Sequence, residues 1–399
     1  MFSFKNKLEY NLKMSLEKKE FKNYRVLVHY KNLNSKIEGK IKKYKGIIIR
    51  NISLINTYSV LACPYTIERL IEHPEIDYIS LDTRAFLCGE ISLNKSNALS
   101  LKGNLRLTGR GIGIGLIDTG VYPHEDLMKP YKKIIEFKDL IRNYKYPYDD
   151  NGHGTFISGI LCGSGNSSNG EFKGIAENSH LYSIKAFNKI GRAYISDILF
   201  AIQCFIEETD VYNLRLICLP FEIMDNNQFI LSLFEKIIDL AIAKGITTIV
   251  PAGNNGNDEN SIRGIATLKN CITVGGINTC TSSYTSYEYS SVGAYKNIQK
   301  PDLVAACVNI TSLNSDITYE SERNGMKIYP KHLKNKYTNY TGTSAAAAYI
   351  CGLCALLLEN NPQLKFSDLS SLLKVSSNLL NMPKSIQGSG AVNLDKLLP

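Results

Sequence analysis

The sequence predicts an α/β protein with a mainly parallel sheet and helices on both faces, preceded by a small ferredoxin-like α+β domain. Two patterns support this fold class: strand-like and helix-like segments alternate after about residue 110, and a β-α-β-β-α-β succession precedes them. Strands that alternate with longer helices are typical of parallel sheets, because each helix carries the chain back across the sheet. The 399 residues, 44% of them hydrophobic and 21% charged, suffice for one large and one small globular domain.

The small domain is predicted at residues 22–88, after a polar leader over residues 1–21. Alternating and β-branched residues indicate strands at residues 24–30, 46–53, 58–63 and 76–81. Helices are expected at residues 33–44 and 64–73, and the second begins with Pro64, a residue favoured in the first helical turn. This β-α-β-β-α-β order is that of a ferredoxin-like unit.

The large domain is predicted at residues 108–399, beyond a polar connector at residues 89–107. Its strands are expected at residues 113–117, 181–186, 214–219, 246–251 and 271–275. Its helices are expected at residues 154–162, 196–208, 228–244, 344–359 and 367–375. Functional groups in such a sheet gather at the carboxyl ends of the strands, so we look for them there.

The basic charge of the chain is concentrated at its N-terminus. The formal net charge is +9, but residues 1–50 carry 14 Lys and Arg against 4 Glu, which leaves 32 basic and 33 acidic residues in the remainder. No nucleic-acid recognition motif accompanies the basic stretch. A solvated charged surface explains it, and we expect no nucleic-acid partner.

The sequence contains no segment that we expect to enter a membrane. Residues 1–30 lack the apolar core of a signal peptide, and no uninterrupted apolar run reaches about 18 residues. We therefore expect no membrane partner and a cytoplasmic location. The ten cysteines are scattered through mostly apolar stretches, which is typical of reduced, buried thiols, and the Cys351 and Cys354 pair is expected to pack in the core.

Four polar residues follow predicted strands or open predicted helices. Asp118 ends a strand before a Thr-Gly turn, and Asn254 follows another strand. His153 lies between two glycines and opens a helix, while Ser344 follows a Gly-Thr turn and opens a helix of small residues. Taken singly, Asp118 could be a turn residue, His153 a loop histidine and Ser344 a helix cap.

Together, these residues supply the groups needed for nucleophilic acyl transfer. Ser344 offers a hydroxyl nucleophile, His153 an imidazole base, and Asp118 a carboxylate that orients the imidazole and stabilises its cation. Asn254 offers an amide that can donate a hydrogen bond to a developing oxyanion, as can the backbone N–H of Ser344. One catalytic site therefore explains why all four residues occur at strand ends and helix starts, whereas separate capping roles would not relate them to one another.

The motifs around these residues resemble those of the subtilases, the subtilisin-like serine peptidases. Asp-Thr-Gly at 118–120 resembles the acid motif of the family, Asn-Gly-His-Gly-Thr at 151–155 its histidine motif, Ala-Gly-Asn at 252–254 its oxyanion motif and Gly-Thr-Ser at 342–344 its nucleophile motif. Further matches lie at residues 172–176, 300–305 and 388–393, so the resemblance covers about residues 105–397. It implies a subtilisin-like fold and serine endopeptidase activity.

The resemblance also implies roles outside the catalytic residues. The N-terminal domain resembles a subtilase propeptide, so residues 22–88 are expected to act as an intramolecular chaperone and inhibitor, and the connector to contain a self-processing site. A permanent accessory domain is the alternative. No cofactor is expected for the chemistry. Structural calcium is common in the family, and Asp126 is a candidate ligand, whereas residues 162–170 carry no carboxylate.

The segment expected to bind substrate departs from the family pattern. Leu219, Pro220, Phe221 and Glu222 lie where the family's substrate-pairing strand usually ends Leu-Ser-Leu-Gly. Pro220 cannot donate a hydrogen bond to a paired strand, and Glu222 replaces a glycine at the primary pocket. These changes favour a narrow substrate range. By charge complementarity, Glu222 would favour a basic residue before the scissile bond.

The sequence therefore favours a self-processing serine endopeptidase that matures a specific peptide or protein. Its expected partners are that substrate and its own propeptide, and family analogy adds proteins of a dormant spore as one substrate class. The alternative is a catalytically degenerate subtilase that acts as a binding or regulatory scaffold. The altered substrate strand leaves this alternative open, as does Ala348, which stands where the family usually has a proline after the nucleophile. Reaction with a fluorophosphonate separates the two.

Overall fold

The computed structural model describes residues 7–31, 37–92, 107–280, 283–293 and 299–398, and it divides into two compact units. Unit 1 comprises Met1–Arg84 together with Tyr194–Cys204, and unit 2 comprises Ala85–Ala193 and Phe205–Pro399. The first boundary falls four residues before the predicted end of the small domain at residue 88. Most of the predicted connector, residues 93–106, lies outside the described residues.

Unit 1 contains a four-stranded antiparallel sheet with helices packed against it. Its elements in chain order are α1 (Tyr10–Glu17), β1 (Tyr24–Tyr30), α2 (Ile37–Lys43), β2 (Ile47–Ile52), β3 (Thr57–Ala62), α3 (Pro64–Ile71) and β4 (Ile76–Leu81). The strand order is β2-β3-β1-β4, and the chain order from β1 to β4 is β-α-β-β-α-β, which together describe a ferredoxin-like unit. Helix α1 was not predicted, since it lies within the expected polar leader, but its Leu12 is buried in the core of the unit.

An ion-pair network joins the two chain segments of unit 1. Asp197 accepts hydrogen bonds from Arg25 at 2.8 Å and from Arg50 at 2.7 Å, and Arg25 also bonds Asp82 at 2.7 Å. Burial raises the pKa of the Asp82 carboxyl, an effect that the neighbouring Arg25 opposes. These charged side chains form their hydrogen bonds only when residues far apart in the sequence come together.

Unit 2 contains the remaining elements, of which β5, β10 and α6 run across the unit boundary. The strands are β5 (Arg84–Leu87), β6 (Glu90–Ser92), β7 (Gly113–Asp118), β8 (Ile134–Asp139), β9 (His180–Lys185), β10 (Arg192–Tyr194), β11 (Leu214–Cys218), β12 (Phe221–Glu222), β13 (Thr247–Pro251), β14 (Ile272–Asn278), β15 (Thr285–Ser286), β16 (Leu303–Ala306), β17 (Ile310–Leu313), β18 (Glu322–Arg323), β19 (Met326–Lys327), β20 (Tyr337–Thr341), β21 (Ser377–Asn378) and β22 (Ala391–Val392). The helices are α4 (Glu125–Met128), α5 (His153–Cys162), α6 (Ile195–Glu207), α7 (Thr209–Tyr212), α8 (Gln228–Ala243), α9 (Thr343–Asn360), α10 (Phe366–Ser376), α11 (Lys384–Gln387) and α12 (Leu394–Leu397).

The main sheet of unit 2 is largely parallel, as predicted. Its strand order is β21-β22-β16-β14-β13-β11-β7-β9-β8, and every pairing from β16 through β8 is parallel. All five predicted strands and all five predicted helices are present, with bounds shifted by at most three residues. Five strands of this sheet were missed, namely β8, β15, β16, β21 and β22. The small antiparallel pieces lie outside this run, including β5, which lies between β10 and β12.

Helix α9 crosses the core of unit 2. It is long and apolar enough to span a membrane by length and composition, but 83% of it is buried within the fold, so its apolar character is explained by packing. Its small residues Ala345–Ala348 are fully buried and allow a close approach to the sheet. All ten cysteines lie among the described residues as thiols, and eight of them are buried, including the predicted core pair Cys351 and Cys354.

Candidate active site

Asp118 and His153 form a buried pair at the carboxyl end of β7. Both carboxylate oxygens of Asp118 lie 2.8 Å from Nδ1 of His153, and Oδ1 also accepts a hydrogen bond from the N–H of Thr119 at 2.7 Å. Asp118 is fully buried, and burial raises the pKa of its carboxyl while His153 opposes that rise. A carboxylate held against Nδ1 fixes the imidazole so that Nε2 faces away from it.

The glycine after His153 lets the two motifs approach each other closely. A Cβ on Gly154 would lie 2.0 Å from the carbonyl oxygen of Gly120 and 3.1 Å from Cβ of Asp118. Any side chain at this position would push α5 away from the end of β7. The glycine at position 154 is therefore required by the packing that brings His153 to Asp118.

Asp149 braces the same region and was missed by the sequence analysis as a functional residue. Its Oδ1 accepts hydrogen bonds from Oγ1 of Thr119 at 2.8 Å and from the N–H groups of Asn151 and Gly152 at 3.1 and 2.8 Å. Its Oδ2 accepts from the N–H and Oγ1 of Thr155 at 2.8 and 2.7 Å. The only sequence signal was an acidic residue shortly before the start of a helix, which usually indicates a cap.

Ser344 lies in the first turn of α9 and is fully buried. Its Oγ is 2.7 Å from the carbonyl oxygen of Pro220 and 2.9 Å from that of Cys88, and its single proton can be donated to only one of them at a time. Nε2 of His153 is buried and has no hydrogen-bond partner among the described residues. The hydroxyl is therefore engaged by backbone carbonyls and not by the imidazole.

The carbonyl of Cys88 reaches Ser344 because residues 86–89 lie along the cleft as an added strand. Leu87 pairs antiparallel with Phe221, and Phe86 with Glu222, while the N–H of Leu87 donates to Gly191 at 3.4 Å. Beyond Gly89, β6 pairs antiparallel with β20, the strand that leads to Ser344. A segment of the chain thus runs past Ser344 with pairing on both sides of the Cys88–Gly89 bond.

Asn254 lies beside this bond, and its side-chain amide is oriented with the oxygen towards the bond. The hydrogen-bond pattern assigns its amide oxygen towards Gly89, whose N–H donates to it at 2.9 Å, and its amide nitrogen towards Oγ1 of Thr343 at 2.9 Å and the carbonyl of Gly253 at 3.2 Å. The amide therefore contacts the nitrogen side of the Cys88–Gly89 peptide. The predicted oxyanion donor thus lies next to the Cys88–Gly89 peptide, but in this state it does not bond the carbonyl oxygen of Cys88.

The backbone conformation of Gly89 and its lack of a side chain are both needed for this arrangement. Its φ is +117°, a conformation that side chains rarely adopt, and a Cβ here would lie 2.3 Å from the carbonyl oxygen of Thr341 and 2.7 Å from Cα of Gly342. A Cβ on Gly342 would in turn lie 2.3 Å from the carbonyl oxygen of Cys88. Two glycines facing each other allow the segment to pass directly over the nucleophile.

The four predicted substrate-binding residues lie along this segment. Leu219 and Phe221 are fully buried beneath it, Pro220 presents its carbonyl to Ser344, and Phe221 and Glu222 form β12. Strand pairing resumes immediately after Pro220, so the proline shortens the substrate-pairing strand without abolishing it. Glu222 contacts the loop that carries Asn254.

Tyr340 was also missed. Its ring meets the ring of His153 edge-on at 5.3 Å and lies 5.1 Å from that of Phe156. A cavity of about 570 Å³ borders this group and is lined in part by Ile190, Ile317 and Thr338. The cavity leaves space beside the bound segment. Aromatic packing of this kind gave no signal in the sequence, because it joins residues far apart in the chain.

The surroundings of Asp126 do not fit a calcium site. Its Oδ1 accepts a hydrogen bond from the N–H of Ser167 at 2.8 Å and its Oδ2 one from the phenol of Tyr337 at 2.6 Å. Lys336 bonds the adjacent Glu125 at 2.8 Å, and the hydrogen bonds from Lys336 and Lys129 lower the pKa of that carboxyl to about 2. Within the described ranges, no group of three or more His, Cys, Asp or Glu could hold a metal ion. Protein donors thus occupy the oxygens that a cation would need.

Comparison with known proteins agrees with this geometry. Residues 109–390 match the model of the subtilase family. Serine protease AprX of Bacillus subtilis is 31% identical over 81% of this chain and 74% of its own length, and subtilisin DY of Bacillus licheniformis is 27% identical over 72% and 90%.

The fold comparison extends over most of the chain. The crystal structure of fervidolysin from Fervidobacterium pennivorans, described as a keratinolytic enzyme related to subtilisin, matches with a TM-score of 0.75 at 19% identity. The match covers 94% of this chain but only 61% of the length of fervidolysin, so it bears on the fold alone. The family match and the relationship to AprX show that the chain belongs to the subtilases, the family of subtilisin-like serine endopeptidases.

Proposed function

We propose that this chain is a serine endopeptidase in which Ser344 is the nucleophile and His153 its general base. Asp118 holds His153 through Nδ1 and stabilises the imidazolium that forms on proton transfer. Asn254 and the backbone N–H of Ser344 stabilise the oxyanion. The loss of one such donor costs about 3 kcal/mol of transition-state stabilisation in comparable sites.

We further propose that the first substrate is the chain itself, cut between Cys88 and Gly89. The observation that carries this proposal is the carbonyl oxygen of Cys88, 2.9 Å from Oγ of Ser344 within a segment paired as a substrate strand on both sides. Holding the bond at the nucleophile in the same molecule replaces an encounter between two molecules. The chain is thus made as a zymogen.

The observed state precedes the reaction. For attack, the Ser344 hydroxyl rotates from the backbone carbonyls to Nε2 of His153, which has no other partner among the described residues. The Cys88–Gly89 peptide turns so that its oxygen meets Asn254 and the N–H of Ser344. Oγ then bonds to the Cys88 carbonyl carbon as its proton passes to His153, and His153 returns that proton to the leaving nitrogen of Gly89. Water finally releases the Cys88 carboxyl by the same proton path.

In this proposal, residues 22–88 act as a folding aid and inhibitor. Unit 1 has its own core and sheet, and the segment that follows it lies across the nucleophile, which supports an inhibitory role. Cleavage after Cys88 would remove 16 basic and 9 acidic residues and lower the formal charge from +9 to +2. We propose a narrow substrate range, because Pro220 shortens the pairing strand, with no cofactor needed for the chemistry.

We also propose a cytoplasmic location, with maturation of a specific peptide or protein, including proteins of a dormant spore, as the role. This proposal rests on the composition of residues 1–30, in which charged and apolar residues alternate. Fractionation of the producing cells, followed by detection of the chain in the soluble and spore fractions, tests it.

Reaction with a fluorophosphonate tests the catalytic assignment. We expect wild-type protein that has released residues 1–88 to be labelled at Ser344, and the Ser344→Ala protein to remain unlabelled. The His153→Ala protein should be labelled at least 100-fold more slowly, because the serine has lost its base. An unlabelled, unprocessed wild-type chain would contradict the proposal and support the scaffold alternative.

A further inference from the structure

The carboxylate of Glu222 lies against the loop that carries Asn254. Oε2 of Glu222 accepts a hydrogen bond from the backbone N–H of Asn254 at 3.1 Å and one from the side-chain amide of Asn255 at 2.9 Å. Glu222 is also the second residue of β12, which pairs with the segment bound in the cleft. One side chain therefore links the substrate-pairing strand to the loop of the oxyanion donor.

The loop is shaped around this carboxylate. Gly253 has a φ of +105°, and a Cβ on it would lie 2.7 Å from Oε2 of Glu222 and 3.0 Å from Oγ of Ser291. Ser291 completes the contact from the other side, because its Oγ accepts a hydrogen bond from the N–H of Asn255 at 2.9 Å. The backbone at residues 253–255 is thus held by two acceptors that belong to other elements.

Keeping the Glu222 carboxyl ionised in this position costs free energy. Burial raises the pKa of its carboxyl, while the bonds from Asn254 and Asn255 and the nearby Arg263 lower it. Burial raises the pKa of the Cys88 thiol, and the nearby negative charge of Glu222 raises it further. A partly buried carboxylate that costs folding energy is expected where it serves a function.

We propose that Glu222 is a positioning residue, whose carboxylate fixes the backbone of Asn254 and thereby the direction in which the Asn254 amide meets the oxyanion. The inference deepens the proposed function, since it assumes that Asn254 donates to the oxyanion. It assigns Glu222 an effect on the rate of bond cleavage through Asn254, in addition to any contact with the substrate side chain.

The rate of self-processing in the full-length chain tests this inference. Because the scissile bond is part of the same molecule, weaker substrate binding in trans does not affect the rate, which is read as the appearance of a Gly89 N-terminus. We expect Glu222→Gln to slow processing about tenfold, because a neutral acceptor binds the N–H groups more weakly than a carboxylate. Asn254→Ala should slow it by about 100-fold or more.

The double variant separates positioning from an independent role. If Glu222 acts through Asn254, Glu222→Gln combined with Asn254→Ala should process within about twofold of Asn254→Ala alone. Asn255→Ala, which removes one of the two donors, should show a smaller loss than Glu222→Gln. The exposed Glu259→Gln serves as the matched control and should process like wild type.

Each failure has a distinct meaning. A tenfold additional loss in the double variant, or an unchanged rate in Glu222→Gln, would overturn the positioning role while leaving the protease assignment intact. An unimpaired Asn254→Ala protein would instead overturn the proposed oxyanion role. Thermal melting of each variant on a Ser344→Ala background identifies folding defects, and we expect Glu222→Gln to melt no lower than its parent.

Discussion

Replacing Asp149 by Asn should destabilise unit 2 and slow catalysis, although Asp149 is not itself expected to contact substrate. The five hydrogen bonds that Asp149 accepts come from groups that can all donate, three of them backbone N–H groups. An amide in the same place turns one acceptor oxygen into an NH₂ group, which faces at least one N–H donor. A buried unsatisfied group costs about 1–3 kcal/mol, and the loss of charge weakens the bonds that remain.

The expected total for Asp149→Asn is about 3 kcal/mol. For unit 2, which has about 300 residues, that corresponds to a fall in melting temperature of about 5 °C. The measurement is thermal unfolding of the full chain on a Ser344→Ala background, which prevents self-cleavage from obscuring the transition. Asp258→Asn, an exposed change of the same kind in a loop, is the control and should leave the transition unchanged.

The kinetic consequence follows from the partners of Asp149. Thr119 and Thr155 flank Asp118 and His153, so loosening them moves the pair out of alignment. We expect self-processing to slow by at least tenfold at temperatures where the variant is folded. A melting temperature within about 2 °C of the parent, or an unchanged processing rate, would refute the claim that this carboxylate braces the site.

Three further predictions concern neighbouring residues. Tyr340→Ala should lower kcat about 2- to 10-fold, because the ring of His153 loses its aromatic neighbour. Tyr340→Phe keeps the aromatic contact and should lose little activity. Equal losses of activity in both variants would contradict a packing role. Because the pKa of Glu222 is raised in the folded state, its ionised form lowers the stability of the fold. Glu222→Gln should therefore become more stable relative to its parent as the pH rises through that pKa, and this advantage should vanish below about pH 4.5. An advantage that grows on acidification would contradict this explanation. Profiling the processed enzyme with a peptide library should show a preference for Lys or Arg before the scissile bond that weakens in Glu222→Gln, and a flat or unaltered profile would contradict charge complementarity.

The sequence predicted the main sheet because its central strands are apolar runs bounded by polar turns. Strand β8 was missed because Glu136 and Lys138 interrupt its apolar character, and β16 because it has only four residues. Helix α1 was missed because Leu12 and Leu16, which pack on the core of unit 1, lie in a segment rich in polar and charged residues. In each case the packing partner, which the sequence does not identify, decides the structure.

Candidate catalytic residues could be chosen from the sequence because of their positions at the ends of predicted strands. Asp118 and Asn254 follow strands that lie in the same parallel sheet, and strand ends in such a sheet converge. The contacts of Glu222 with Asn254 and the docking of Cys88 on Ser344 were not predictable, because they join elements far apart in sequence. The connector at residues 89–107 was predicted to contain a processing site but not at which bond, and the contact of Cys88, directly before it, with Ser344 could not be read from the sequence.

The most direct test of self-processing is a time course of intact masses for the full-length chain. We expect wild-type protein to convert into two fragments that end at Cys88 and begin at Gly89, at a first-order rate that does not change when the protein is diluted tenfold. The Ser344→Ala protein should keep its full mass throughout. Cleavage at another bond, cleavage that slows on dilution, or an intact wild-type chain would contradict the account.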